Sequence, residues 1–206
     1  MKNFTLVMGV LLLGIGGCRS YDVRVNGFSE VPRPIMDRAS MYVTADGNSH
    51  NPLFVKEVKA KIEYLLSQHG YALNADESKA DYRLTFKVGV ASHLVTNYSD
   101  SYFATSGAYG WNRMGYSYSY FPTLEMLYDE LLTIKVFDNR PVGTAKADVP
   151  VWIGEAATSG YYANVREGVN YLLVGVFEYF GQNTKKQYEM DINSDDPRIK
   201  RIAAYK

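Results

Sequence analysis

Three histidines, a group of carboxylates and one alternating acidic run are the residues of this chain whose types could support catalysis or hold a metal. The histidines are His50, His69 and His93. Ser92 precedes His93, but neighbours on a strand point to opposite faces, so they do not form a nucleophile–base pair. His69 falls in the last turn of a helix, where positive charge suits the helix dipole and a structural role is expected. Glu125, Asp129 and Glu130 cluster near a strand start. Paired carboxylates can divide general acid and base work, yet a solvated loop end is the better account of them. Asp191-x-Asn193-x-Asp195 matches the first half of a calcium loop, but Asp196 stands where that loop needs Gly and Ile202 where it needs Glu. The chain has no HExxH, G-x-S-x-G or P-loop pattern. No catalytic residue, cofactor or metal ligand is therefore expected, and the protein reads as non-enzymatic.

The one residue with a clear chemical fate is Cys18, the only cysteine among 206 residues. Lys2 supplies a basic start, Phe4 to Leu13 is almost wholly apolar, and Ile15, Gly16 and Gly17 lead into the thiol. That order describes a signal peptide over 1–17, removed on export. Phe4 to Gly17 is fourteen residues, short of the roughly 20 that a membrane-spanning helix needs. Ile15-Gly16-Gly17-Cys18 resembles the bacterial lipobox, which implies a diacylglyceryl thioether on Cys18 and, after cleavage, a further acyl chain such as palmitate on its amine. Arg19, in place of Asp, implies an outer-membrane destination facing the periplasm. The membrane is thus an expected partner, through the lipid on Cys18.

A second feature is contact chemistry. Tyr98–Phe121 holds nine aromatics, three Gly and five Ser, with only Asp100 and Arg113 charged. Rigid Tyr and Trp surrounded by adaptable Ser and Gly is a binding-loop composition. Trp111, Tyr116 and Tyr118 are the expected anchors for an envelope protein or a glycan. The segment carries no sustained period of 2 or 3.6 and is expected to be a Tyr/Gly-rich loop or hairpin that adds little to the core.

Without residues 1–17 the chain keeps 21 Lys plus Arg, having lost Lys2, against 22 Asp plus Glu. That balance offers no electrostatic footprint for nucleic acid. With Cys18 acylated no thiol remains for disulfides or metals.

The elements that must position these residues follow from periodicity. Tyr21, Val23 and Val25 alternate with polar neighbours as in a half-buried strand, and Met41-Tyr42-Val43 is a second. Asn51 as N-cap and Pro52 at the first turn open a helix that Gly70 ends, with Val55, Val58, Ile62, Leu65 and Leu66 as its buried stripe. Tyr82–Ala91 and Leu132–Val136 alternate clearly. Val149–Ile153 is expected as another strand, with an edge or bulge at Pro150. Tyr161–Phe180 is a second helix, with Val169, Leu172 and Val176 inward and Gly181 as its stop. Gly168 and Gly175 leave a strip for close packing. Tyr188–Ile192 is a further strand candidate, followed by a mixed basic end expected to be mobile. The whole predicts an α+β fold, a mainly antiparallel sheet with two helices on one face. The expected organisation is a lipidated N-terminal stretch over 18–40, an α+β domain over 41–184 that contains the 97–121 segment, and a tail over 185–206.

Taken in order, several motifs resemble a family of bacterial envelope lipoproteins, domain-of-unknown-function family 4136. They are Asn51-Pro52-Leu53 opening the first helix, His69-Gly70-Tyr71 closing it, and Ala80-Asp81-Tyr82 entering the long strand. The Tyr/Gly-rich stretch, Leu132–Asp138 and Val151-Trp152-Ile153-Gly154 complete the series. The resemblance implies an α+β lipoprotein domain and no catalytic residue. The resulting expectation is a lipid-anchored lipoprotein that supports or joins an envelope assembly. A module that binds glycan or an apolar small molecule through 98–121 is the alternative, and a lipid-anchored hydrolase using Asp129 or Glu130 with a histidine is a third reading.

Overall fold

Asn51 and Pro52 open α1 (Pro52–Gln68) as their types require, the Asn51 side chain accepting a hydrogen bond from the Phe54 amide at 3.1 Å. Gly70 closes it at φ 85°, a left-handed conformation that suits glycine. The computed structural model describes residues 20–31, 34–47, 51–105, 115–140 and 149–205, with the backbone alone over 98–105 and 115–121. Before α1 come β1 (Ser20–Phe28) and β2 (Ser40–Ala45). After it follow β3 (Ala72–Leu73), β4 (Tyr82–Thr105), β5 (Gly115–Asp138), β6 (Trp152–Gly160), α2 (Val165–Glu178), β7 (Tyr188–Asn193) and α3 (Pro197–Ala204).

One seven-stranded sheet runs in the order β3-β2-β4-β5-β6-β1-β7. β2 lies parallel to β3 and β4, and the other neighbours are antiparallel. The α+β expectation is met. Val23 and Val25 of β1, Leu84 and Phe86 of β4, Leu132 and Ile134 of β5 and Trp152 of β6 are buried in one core with Val58 and Ile62 of α1 and Val169, Leu172 and Val176 of α2. Val55 and Leu65, expected in the stripe, are only partly buried against it. Among the described residues, no helix is long and apolar enough to cross a membrane.

Several expectations need correction. β6 runs from Trp152 to Gly160, starting later than the strand expected over Val149–Ile153, and its inward positions include Trp152, Gly154 and Ala156. Small residues serve there because a Cβ on Gly154 would lie 2.2 Å from the Trp152 ring. α2 is shorter than 161–180 and is buried on nearly every side, from Gly168 to Phe177. Gly175 fits against Val23 and Val25, where a Cβ would approach to 2.8 and 3.0 Å. The basic end is not a mobile tail but α3, with Ile199 and Ile202 buried. β1 and β7, from the two ends of the chain, pair side by side.

One polar contact inside the helix layer was not legible. Lys61 is 2 % exposed; its ammonium donates to Glu57 at 2.7 Å and to Asn170 at 2.9 Å. Arg166 donates to the same Glu57 carboxylate at 2.8 Å, so α1 and α2 are joined by charges as well as by packing. A charge this deep is tolerated only when paired.

Candidate functional site

The Tyr/Gly-rich segment is largely strand. β4 and β5 pair without a break from Tyr82↔Asp138 to Thr105↔Gly115. Their neighbours do not follow them: β2 pairs only as far as Phe86, and β6 only as far as Tyr128. Beyond those points two strands continue alone as a ribbon. The expectation of no sustained period is therefore wrong for its arms. Register places Tyr116 opposite Ala104, Tyr118 opposite Tyr102, and Tyr120 opposite Asp100, all on one face. Toward the sheet the same face carries Leu124, Met126, Leu94 and Val90, which are 69 %, 43 %, 60 % and 46 % exposed. Serines 99, 101, 117 and 119 share the opposite face with Asn97, Thr123 and Glu125. Trp111 lies outside the described residues.

The start of β1 lies at the ribbon end of the sheet. Arg24, Ala157, Leu131 and Gly89 form one row across the strands. Four residues along from Arg24 is Ser20, and four residues from Gly89 is His93, both in the direction of the ribbon. Cys18 lies outside the described residues, two positions before Ser20 in the sequence. Tyr161 and Tyr162, just after β6, stand at this end with 57 % and 82 % exposure.

The carboxylates at the ribbon base divide between the faces. Glu130 points inward, is 4 % exposed, and accepts a hydrogen bond from the Asn164 amide at 2.6 Å. The Asn164 side chain makes no capping bond at the start of α2, so a carboxylate from β5 supplies the acceptor that this helix terminus needs. Gly168 makes room for it: a Cβ there would lie 1.5 Å from Glu130 Oε2. Asp129 faces the other way. It accepts from the Ser159 hydroxyl and lies 3.1 Å from His93 Nδ1 and 3.8 Å from Arg24. Adjacent strand residues cannot reach one substrate from opposite faces, so Asp129 and Glu130 do not form an acid–base pair. In the Ser159–Asp129–His93 group the hydroxyl donates to the carboxylate rather than to the imidazole, so the group lacks the serine–histidine contact of a hydrolase triad. Glu125 accepts from the Asn97 amide group.

The remaining candidates have structural places. His69 caps α1, with its backbone N–H on Leu65 O and its ring tilted against Phe177 and Phe180 at 5.6 and 6.4 Å. Loss of water around the ring lowers its pKa, and Glu178 opposes that shift in part. The neutral imidazole is favoured there, contrary to the dipole argument. His50 lies outside the described residues. In the acidic run, Asn193 accepts from the Asp195 amide, and Asp196 caps α3 by accepting from the Arg198 amide, each at 2.8 Å.

No family model matches the chain, and no curated protein matches it. Among solved structures it is similar to the PelC dodecamer from Paraburkholderia phytofirmans, at 11% identity over 79% of this chain and 99% of that one, TM-score 0.43. It is also similar to a DUF4136 family protein from Bacteroides thetaiotaomicron, at 15% identity over 77% and 90%, TM-score 0.37. A PDZ domain protein from Parabacteroides distasonis is matched at 11% identity over 84% of this chain but only 39% of that one, TM-score 0.43. Identities this low assign no function.

Proposed function

We propose that this protein is a lipid-anchored, periplasm-facing lipoprotein of the bacterial outer membrane that joins an envelope assembly and catalyses no reaction. Family 4136 membership is part of this reading, and it rests on the sequence motifs. The observation that carries it is the shared direction of two features. β1 begins two residues after the acylation motif, at the end of the sheet from which the ribbon projects. An acyl anchor at Cys18 would hold the sheet by that end and direct Leu94, Leu124 and Met126 toward lipid. Aromatic residues favour the membrane interface, where one end of the ring is apolar and the other wet. Several acyl chains make anchoring stable where one would not.

The test is fractionation with mass analysis of the mature N-terminus. The expected result is an acylated Cys18 in the outer-membrane fraction, with Cys18→Ser left unprocessed or soluble. Wild-type protein that is soluble with an unmodified thiol would end the reading.

A further inference from the structure

We propose that copies of this chain pair their ribbons edge to edge, β4 of one against β5 of the next, and close them into a barrel that crosses the anchoring membrane. The proposal deepens the anchored reading and rests on it.

Length is the first argument. From His93, level with Ser20 at the start of β1, β4 continues twelve residues to Thr105. At about 3.3 Å per residue that is roughly 40 Å. A strand of 9–11 residues is enough to cross a bilayer. Held by an anchor at its base, a ribbon of this length reaches through the membrane rather than stopping at it.

A ribbon cannot do this alone. Two strands are marginal even in water, and in lipid each unpaired backbone group costs several kcal/mol, so only closed sheets cross. Among the described residues, β4 beyond Phe86 and β5 beyond Tyr128 have no further strand beside them. Edges meant to stay single are blunted with Lys, Pro or bulges. Past Lys87, over 88–105 and 115–127, there is no Lys or Arg, and Pro122 is the single proline. Away from Lys87 and Pro122, the edges therefore lack the usual Lys and Pro devices against a partner strand.

The partner's identity follows from the anchor. Copies held in one membrane point the same way, so the edge that meets β4 is the neighbour's β5, running antiparallel to it. This contact is head-to-tail and repeats round a ring. Each copy adds two strands, which gives the even count of a membrane barrel. The alternation follows the same division in the main: tyrosines, Leu94, Leu124 and Met126 with Ser92 and Thr96 on one face, and serines, Asn97, Thr123 and Glu125 with Val95, Phe103, Phe121 and Leu127 on the other. Within the ribbon, Asp100 is the one charged residue on the tyrosine face. A ribbon lying flat on headgroups would use the tyrosines but leave both edges open along their length.

The experiment uses the full acylated protein, purified in detergent, for native mass measurement and for recording in planar bilayers of phosphatidylethanolamine and phosphatidylglycerol. The expected result is a discrete multimer with stepwise conductance. Leu94→Lys/Leu124→Lys/Met126→Lys places cations on the lipid side and should cut insertion at least about tenfold, with the melting temperature within a few degrees of wild type. An acylated protein that stays monomeric, in detergent and in crosslinked membranes, overturns the barrel while leaving the anchor intact. A multimer without conductance, or one that the triple variant does not impair, also overturns it. Mass analysis that finds Cys18 unacylated overturns the anchored reading and, with it, the shared orientation used here.

Discussion

The inner and outer halves of the β4–β5 hairpin are one continuous ladder in two environments. Over 82–86 it is flanked by β2 and over 128–136 by β6, and Tyr82, Leu84, Leu132, Ile134 and Val136 are buried there. Over 87–105 and 115–127 the flanking strands fall away, and the same face presents Leu94, Leu124 and Met126 to the outside. Apolar residues on the inner half are explained by the protein itself. Those on the outer half have no cover among the described residues, and large exposed apolar surface usually marks an interaction site. The inner end serves stability, and the outer end is the part that the proposed function assigns to contact.

The largest expected effect breaks the comparison from the inner side. Ile62 and Leu172 are fully buried, so Ile62→Ala or Leu172→Ala should cost about 2–5 kcal/mol in denaturant unfolding. Losses below roughly 0.5 kcal/mol at both sites, the range of an ordinary surface change, would mean the core is wrongly placed. Next comes a pair of glycines on either side of the divide. Gly168→Ala forces a Cβ onto the Glu130 carboxylate and should cost about 1–3 kcal/mol. Gly89 has open space around its Cβ position, so Gly89→Ala should be neutral or stabilise by up to about 1 kcal/mol. Equal effects at the two positions would refute the cradle around Glu130.

A smaller effect concerns pH at the end of the sheet far from the ribbon. Hydrogen bonding from Arg140 holds the Asp138 carboxyl below its usual range, outweighing partial burial; the Arg140 Nε–Asp138 Oδ1 distance is 2.8 Å. The folded pKa is depressed, so this stabilisation is complete above the unfolded value of about 4 and is lost as pH falls through the folded value. Arg140→Ala should flatten that part of the acid stability curve, and an unchanged acid slope would exclude the pair as its source. The smallest effect on stability belongs to the ribbon. Leu124→Ala should change unfolding by no more than about 0.5 kcal/mol, and a loss comparable to Leu172→Ala would make the ribbon part of the core.

What could be read in the sequence was local. Asn51, Pro52 and Gly70 bound α1 because caps and φ preferences act within a few residues. The alternation of Tyr82, Leu84 and Phe86 named the inner strand for the same reason. What escaped was set by distant partners. Trp152 fills the space that makes Gly154 an inward position, and Glu130 caps a helix thirty-four residues away. Lys61 reads as a surface residue until Glu57 and Asn170 close round it. The ribbon was half legible. Tyr116-Ser117-Tyr118-Ser119-Tyr120 has a period of two in plain view, but a Gly- and Ser-rich composition read over the whole segment hid it. The depth of the pairing with β4 is a property of register, which composition does not encode.

The claim that the ribbon end faces the membrane is tested most directly by depth measurement on the anchored protein. With the Cys18 sulfur held in a thioether, a single added cysteine takes a nitroxide uniquely. Leu124→Cys reports on the ribbon, and Val31→Cys, 51 % exposed after the far end of β1, reports on the opposite end. In vesicles the label at 124 should relax with oxygen and resist an aqueous nickel complex, while the label at 31 should do the reverse. Equal aqueous exposure at both positions would contradict the account.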